Sequence, residues 1–253
     1  RLPMGLELNL EGELVSRPYL EMTLHMMGFF GVDHTWSGQT ITVEPQAYEA
    51  RPFQVEADWS AASYYYSIAA LSDYCDLTLY GLHQESLQGD AAIAGFMENL
   101  GVHTEFGEGY IRLSRTSTPP KPFFEYDFIN CPDLAQTVIA CCGGLGVKGV
   151  FQGLQTLYIK ETDRIAAMQN ELRKLDVAFY QDSVQANTFV VEGQAAFRMT
   201  PEFATYEDHR MAMAMAPLAI LNPIVIKDPG VVVKSYPAFW SDLESLGFEV
   251  TTC

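Results

Sequence analysis

Three aspartates stand at equal intervals of 75 residues, Asp58, Asp133 and Asp208, and each opens an apolar stretch of helical character. The stretches read Asp58-Trp-Ser-Ala-Ala-Ser-Tyr64, Asp133-Leu-Ala-Gln-Thr-Val-Ile139 and Asp208-His-Arg-Met-Ala-Met-Ala214. An aspartate in that place is by default an N-cap, whose carboxylate accepts from orphan backbone N–H groups and stabilises by roughly 1 kcal/mol. If the three helix starts share one rim, their dipoles and free N–H groups make it an anion site. The basic residues sharpen this. The chain has only 15 lysines and arginines, yet several lie beside the repeated helix starts. In Lys160-Glu-Thr-Asp-Arg164 the two cations are four apart, the spacing of one helix face. His209-Arg210 opens the third apolar helix, and Lys234 precedes Ser235-Tyr236-Pro237, the expected start of the last helix. A cation at a helix N-terminus opposes the dipole unless an anion lies between them. Each alone reads as a solvated charge; together, at equivalent repeat positions, they point to a polyanionic ligand.

The elements that must position these residues also repeat. After each apolar helix comes a strand: Asp76–Tyr80, Gly149–Gly153 and Pro223–Lys227. A second helix type ends in Phe96-Met-Glu-Asn-Leu-Gly-Val102, Glu171-Leu-Arg-Lys-Leu-Asp-Val177 and Leu243-Glu-Ser-Leu-Gly-Phe248, with a further copy at Met26–Val32. Gly or Asp supplies the helix stop, because a left-handed conformation is cheap for Gly. Alternating strands follow at Thr40–Val43, Tyr110–Leu113 and Thr188–Val191. About three units of helix, strand, helix, strand fit from Glu56 onward, closing about a pseudo-threefold axis. The first helices are too apolar on all sides to lie at a surface. Pro45, Tyr48 and Pro52 interrupt the pattern, so residues 1–54 read as the remnant of another lobe and 55–253 as one lobe of three units.

Hydrophobic residues make up 48% of the 253 and charged ones 19%, a composition that supports a packed core. The net charge of −17 disfavours nucleic acid as a partner, and no apolar run has the length of a membrane span. The start, Arg1-Leu2-Pro3-Met4-Gly5, has no signal-peptide pattern and reads as a cut through a longer chain. The five cysteines, Cys75, Cys131, Cys141, Cys142 and Cys253, have no metal-site spacing. They read as free thiols of a reducing, cytoplasmic protein.

Lys160-Glu-Thr-Asp-Arg-Ile165, with the helix to Leu175 behind it, resembles the signature of enolpyruvylshikimate-phosphate synthases, and Tyr206-Glu-Asp-His-Arg-Met-Ala-Met213 resembles their second signature. Leu14-Val-Ser-Arg-Pro-Tyr19, Val55–Ser63, Cys131-Pro-Asp133 and Val233-Lys-Ser-Tyr-Pro237 follow in the family's order, so the resemblance spans essentially the whole chain. It implies an α/β (in some schemes α+β) prism of three βαβαββ-type units with a partial second lobe. It also implies that much of the other lobe is missing, with its Lys and Arg for phosphoenolpyruvate.

The implied reaction moves the enolpyruvyl group of phosphoenolpyruvate to the 5-hydroxyl of shikimate 3-phosphate. By resemblance Asp133 accepts the hydroxyl proton, and Glu161 is the acid at the methylene carbon, with a pKa the site must raise. Lys160, Ser16, Tyr19 and Thr156, the last standing where many relatives have Asn, go to shikimate 3-phosphate. Arg164, Arg210 and Lys234 go to phosphoenolpyruvate. His209 either orients neighbours and helps with the phosphate or merely satisfies local hydrogen bonds. The resemblance implies no metal or cofactor, small-molecule partners only, and a monomeric parent. A UDP-sugar enolpyruvyl transferase of the same fold and a non-catalytic anion-binding fragment are the alternatives.

Overall fold

A computed structural model describes residues 3–252, so Cys253 lies outside it. The first elements are β1 (Leu6–Asn9), α1 (Arg17–Phe29), β2 (Thr35–Ser37) and β3 (Thr40–Val43), with the strands in the antiparallel order β1-β3-β2. In β3 Ile41 and Val43 are buried while Thr40 and Thr42 are only partly covered, the alternation a one-faced sheet requires. Residues 46–57 carry no helix or strand.

Next come α2 (Trp59–Leu71), β4 (Asp76–Tyr80), α3 (Ile93–Phe96) between two 3-10 turns, β5 (Val102–Gly107) and β6 (Tyr110–Arg115). The strands pair antiparallel in the order β4-β6-β5. The following unit is β7 (Phe123–Asp127), α4 (Ala135–Leu145), β8 (Lys148–Gln152), α5 (Arg164–Arg173), β9 (Ala178–Gln181) and β10 (Phe189–Glu192). Its sheet runs β7-β8-β10-β9, parallel across the α4 crossover and antiparallel elsewhere, and forms a complete βαβαββ unit. The last elements are β11 (Glu202–Phe203), α6 (His209–Met215), β12 (Val225–Ile226) and α7 (Phe239–Ser245), with β11 and β12 parallel. Of the three units expected from the repeat, then, only the middle one is complete among the described residues. The first lacks an opening strand and the third its last two.

The core is the packing of α2 and α6 against α4. Every residue of α2 from Ala62 to Leu71 is buried, as is every residue of α4 from Ala135 to Gly144. Helices this apolar on all sides have no face to offer water, so they lie inside with the sheets around them. Two polar contacts cross between them: Ser63 Oγ lies 3.3 Å from Thr137 Oγ1, and Gln136 Nε2 lies 3.0 Å from Met211 Sδ, while Ser67 Oγ and Gln136 Oε1 have no partner among the described residues. At Gly144 an added Cβ would come within 2.7 Å of Leu71 Cδ2 and 3.0 Å of Leu218 Cδ2, so a glycine sets how closely the elements approach. Cys131, Cys141 and Cys142 are buried free thiols and Cys75 is a half-buried one. Among the described residues no helix is long and apolar enough to cross a membrane.

Candidate active site

The aspartates of the repeat do not share one job. Asp58 caps α2, its carboxylate accepting from Ser60 N at 2.7 Å and Ala61 N at 3.3 Å. Asp208 caps α6 through Arg210 N at 2.8 Å. Asp133 caps nothing, because it lies within the 3-10 turn Pro132–Leu134 that leads into α4. Its carboxylate is left to cations: Oδ1 lies 3.1 Å from Arg164 Nη1 and 3.4 Å from Lys160 Nζ, and Oδ2 lies 3.1 Å from Arg210 Nη2. The expectation of three N-caps therefore fails at the aspartate with the most chemistry around it.

Arg164 begins α5, which is capped by Asp163 through Ala166 N at 3.0 Å. Its side chain is 1% exposed, so nearly every donor must find a protein partner. Nε donates to Asp208 Oδ2 at 2.7 Å, Nη2 to Glu161 Oε2 at 2.7 Å and to Asp208 Oδ1 at 3.3 Å, and Nη1 to Asp133. Asp208 is wholly buried and spans the gap between its own helix start and this guanidinium. Arg164 thus lies beneath the site and ties three acids together, rather than standing free as an open anion clamp. Lys160 also departs from expectation: it precedes α5 in a non-helical conformation (φ −82°, ψ −149°). The helical four-residue spacing does not join it to Arg164; both reach Asp133 Oδ1 instead.

The charges set the protonation states. Burial pushes the Asp133 carboxyl up, but Arg210, Lys160 and Arg164 outweigh it and hold it below the ordinary aspartate value. Burial likewise raises Glu161, yet its own backbone N–H together with Arg164, His209 and Lys234 leave it below the usual value. A raised Glu161 was expected, and its own backbone N–H with the cations around it reverse the sign. His209 is lowered by burial and then by Arg210, against the opposing pull of Asp208 and Glu161, so it is neutral near pH 7. Its buried Nδ1 has no hydrogen-bond partner.

Of the other expected residues, Lys234 is exposed, lies 3.5 Å from the Glu207 carbonyl and acts on Glu161. Tyr19 faces Asp90 and Asp133, and burial, then Asp90, raise its hydroxyl pKa. Ser16 precedes α1 in a left-handed conformation (φ 58°), and its N–H bonds the Ile129 carbonyl at 2.7 Å. Thr156 has a buried hydroxyl without a partner. Sequence reasoning missed Asp90, which is fully buried and bonded to Ser60 Oγ beside Arg210 and Asp133. Burial raises its pKa. Its Gln88-Gly89-Asp90 setting repeats nothing, so the 75-residue interval could not reveal it.

Asp58, Ser60, Tyr64, His209, Arg210 and Ser235 line a cavity of about 30 Å³ where the starts of α2 and α6 meet. A larger groove of about 770 Å³ lies at the other end of α2, beside Ile68, Ser72, Cys75, Ile224 and Phe248, away from these charges. Glu161, Asp208 and His209 offer ligand atoms within 4.8 Å of one another, as a metal would need. The Arg164 guanidinium already bonds both acids and supplies their countercharge.

Comparisons with known proteins bear on the family and the fold. The chain is 48% identical over 252 residues to the 3-phosphoshikimate 1-carboxyvinyltransferase of Bacteroides fragilis, covering 98% of itself and 61% of that protein. The enzyme of that name from Neisseria meningitidis is 33% identical over 246 residues, 95% of this chain and 55% of the relative. The chain thus spans a little over half the length of these relatives. Among solved structures, the EPSP synthase of Acinetobacter baumannii superposes with a TM-score of 0.72 at 19% identity, over 98% of this chain and 58% of that one. The enolpyruvyl transferase NikO of Streptomyces tendae gives a TM-score of 0.68 at 16% identity, over 97% and 56%, and speaks to fold alone. The family model of EPSP synthase (3-phosphoshikimate 1-carboxyvinyltransferase) matches residues 2–243, and the chain belongs to that family.

Proposed function

We propose that this chain supplies one side of a site that transfers the enolpyruvyl group of phosphoenolpyruvate to the 5-hydroxyl of shikimate 3-phosphate, releasing phosphate. The observation that carries the reading is the cluster of Lys160, Arg164 and Arg210, each within 3.4 Å of the single carboxylate of Asp133, with Lys234 acting on the neighbouring Glu161. Two phosphorylated substrates need such a group of cations, and a general base needs its ionised form held there. In this reading residues 1–54 belong to a second lobe and 55–253 to the lobe described above, with the site between the two.

The roles are those the family resemblance implies, and the cation cluster at Asp133 supports them. Ionised Asp133 takes the proton of the 5-hydroxyl as that oxygen attacks C2 of phosphoenolpyruvate. Glu161 protonates the methylene carbon, giving a tetrahedral adduct. Loss of phosphate with return of a methyl proton restores the double bond. Arg210 and Lys234 hold the phosphoenolpyruvate anion; Lys160, Ser16, Tyr19 and Thr156 hold shikimate 3-phosphate. Arg164 adds its charge from below and reaches phosphoenolpyruvate only by giving up a carboxylate partner. Neutral His209 offers its unpartnered Nδ1 to the phosphate. Glu161 must carry a proton to act. The anions of a bound substrate offset Arg164 and Lys234, which lets burial push its pKa up against the pull of its own backbone N–H.

A phosphate-release assay on the full-length parent, run with shikimate 3-phosphate and with a UDP-amino sugar as acceptors, tests the reading. Turnover with the first alone supports it, and turnover with the second alone sinks it. Calorimetric titration with phosphoenolpyruvate in buffers of differing ionisation enthalpy should show net proton uptake, lost in Glu161→Gln.

A further inference from the structure

Glu171 carries a charge, is 1% exposed, and lies on α5 two turns beyond Arg164, so the two share one buried face. Neither the reaction nor the repeat explains it. Its carboxylate accepts three hydrogen bonds: Oε2 from Lys174 Nζ at 2.5 Å and from the Ala204 backbone N–H at 3.0 Å, and Oε1 from the Tyr206 hydroxyl at 2.8 Å. Two of these donors belong to the segment that leaves β11 and delivers Asp208, His209 and Arg210.

That segment is bent in an unusual way. Tyr206 and Glu207 both adopt left-handed backbone conformations, φ 54° and 58°, although neither is glycine. Side chains rarely tolerate this, and consecutive cases persist where surrounding contacts over-determine them. The contacts here are legible. Glu171 holds Ala204 and Tyr206 before the bend, and Asp208 N bonds the Thr205 carbonyl at 2.9 Å across it. Lys234 takes the Glu207 carbonyl, and Arg164 grips the Asp208 carboxylate after the bend. Helix α5 thus clamps residues 204–208 at two points with opposite charges, an acid on backbone and hydroxyl, then a guanidinium on the acid. What emerges from the clamp is the start of α6, with Arg210 on Asp133 and His209 beside Glu161.

We infer that Glu171 is a positioning residue: it holds the Tyr206–Glu207 bend, and through it aims His209 and Arg210 at the phosphoenolpyruvate side of the site. The inference rests on the function proposed above for its substrate and on the geometry alone for its mechanism. It separates two kinds of defect. A loosened bend misplaces Arg210 and His209 and leaves Ser16 and Lys160, which lie on other segments, where they are.

In the full-length parent, Glu171→Ala should raise KM for phosphoenolpyruvate about tenfold or more while KM for shikimate 3-phosphate stays within about twofold. Glu171→Gln should restore most of the loss: its amide oxygen can take Lys174 and Ala204 N, and its NH2 can donate to the Tyr206 oxygen. Tyr206→Phe, which removes one hydrogen bond and tests the same device should Glu171→Ala not fold, should show the same split at about threefold to tenfold. Equal changes in both constants, or none in either, would overturn the inference. Titration of His209 by NMR gives a readout independent of turnover. Its pKa should move up towards the ordinary histidine value in Glu171→Ala and stay low in Glu171→Gln, and no movement in the alanine variant counts against the clamp. If the wild-type parent fails with phosphoenolpyruvate, the proposed function falls, and the histidine titration still decides the role of Glu171.

Discussion

Arg164 shows how one side chain can serve structure and chemistry together. Its donors go to Asp208, Asp133 and Glu161. Removing it leaves a wholly buried Asp208 carboxylate without its countercharge. Arg164→Ala should therefore lower the unfolding free energy by about 3–5 kcal/mol, the usual cost of stranding one partner of a buried pair, as read by urea titration of this chain. A drop below about 1 kcal/mol would mean that water reaches Asp208 when the guanidinium goes. His209 gives a pH signature. Its folded pKa lies below the unfolded value of about 6.5, so the unfolded chain binds the proton more readily. Stability from this residue is complete above the unfolded pKa and declines as pH falls below about 6.5. His209→Gln should flatten the stability profile between about pH 7 and pH 5, and an unchanged slope would place its source elsewhere.

At the scale of elements, the 75-residue repeat was legible because helix starts, apolar stretches and strands recur in register. The burial of α2, α4 and α6 followed from their lack of a polar face. What each aspartate does was not legible from the repeat. Asp58 and Asp208 precede regular helices and cap them, whereas Asp133 falls inside a 3-10 turn and keeps its carboxylate for cations. The difference should register in stability. Asp58→Ala loses two backbone hydrogen bonds and should cost about 1 kcal/mol, measured by thermal or urea unfolding. Lys160 was misread for a related reason: the helix starts at Arg164, four residues later than its spacing suggested.

Across the whole molecule the chain carries −17, yet its proposed ligands are anions. The resolution is local, since Lys160, Arg164, Arg210 and Lys234 gather around Asp133 and Glu161 while acids dominate the rest. Such a surface repels itself, and screening should relieve that repulsion. Raising ionic strength from about 0.02 to about 0.15 M, which shortens the screening length to about 8 Å, should raise the thermal midpoint by a few degrees. A fall on adding salt would show that surface ion pairs such as Arg112–Asp76 outweigh the net charge.

The sequence by itself determined the family, the repeat, the buried helices and the cations that gather at the candidate site, because these are written in residue type and spacing. Only the tertiary structure decided which acid meets which base. Asp90, Asp208 and Glu171 acquire their roles from partners far away in the chain: Ser60, Arg164 and Tyr206. The lowered pKa of Glu161 was decided there too, since it follows from its own backbone N–H and from Arg164 and Lys234, which lie on separate segments. Electrostatic energy depends on distance and burial, and neither quantity exists until the chain has folded.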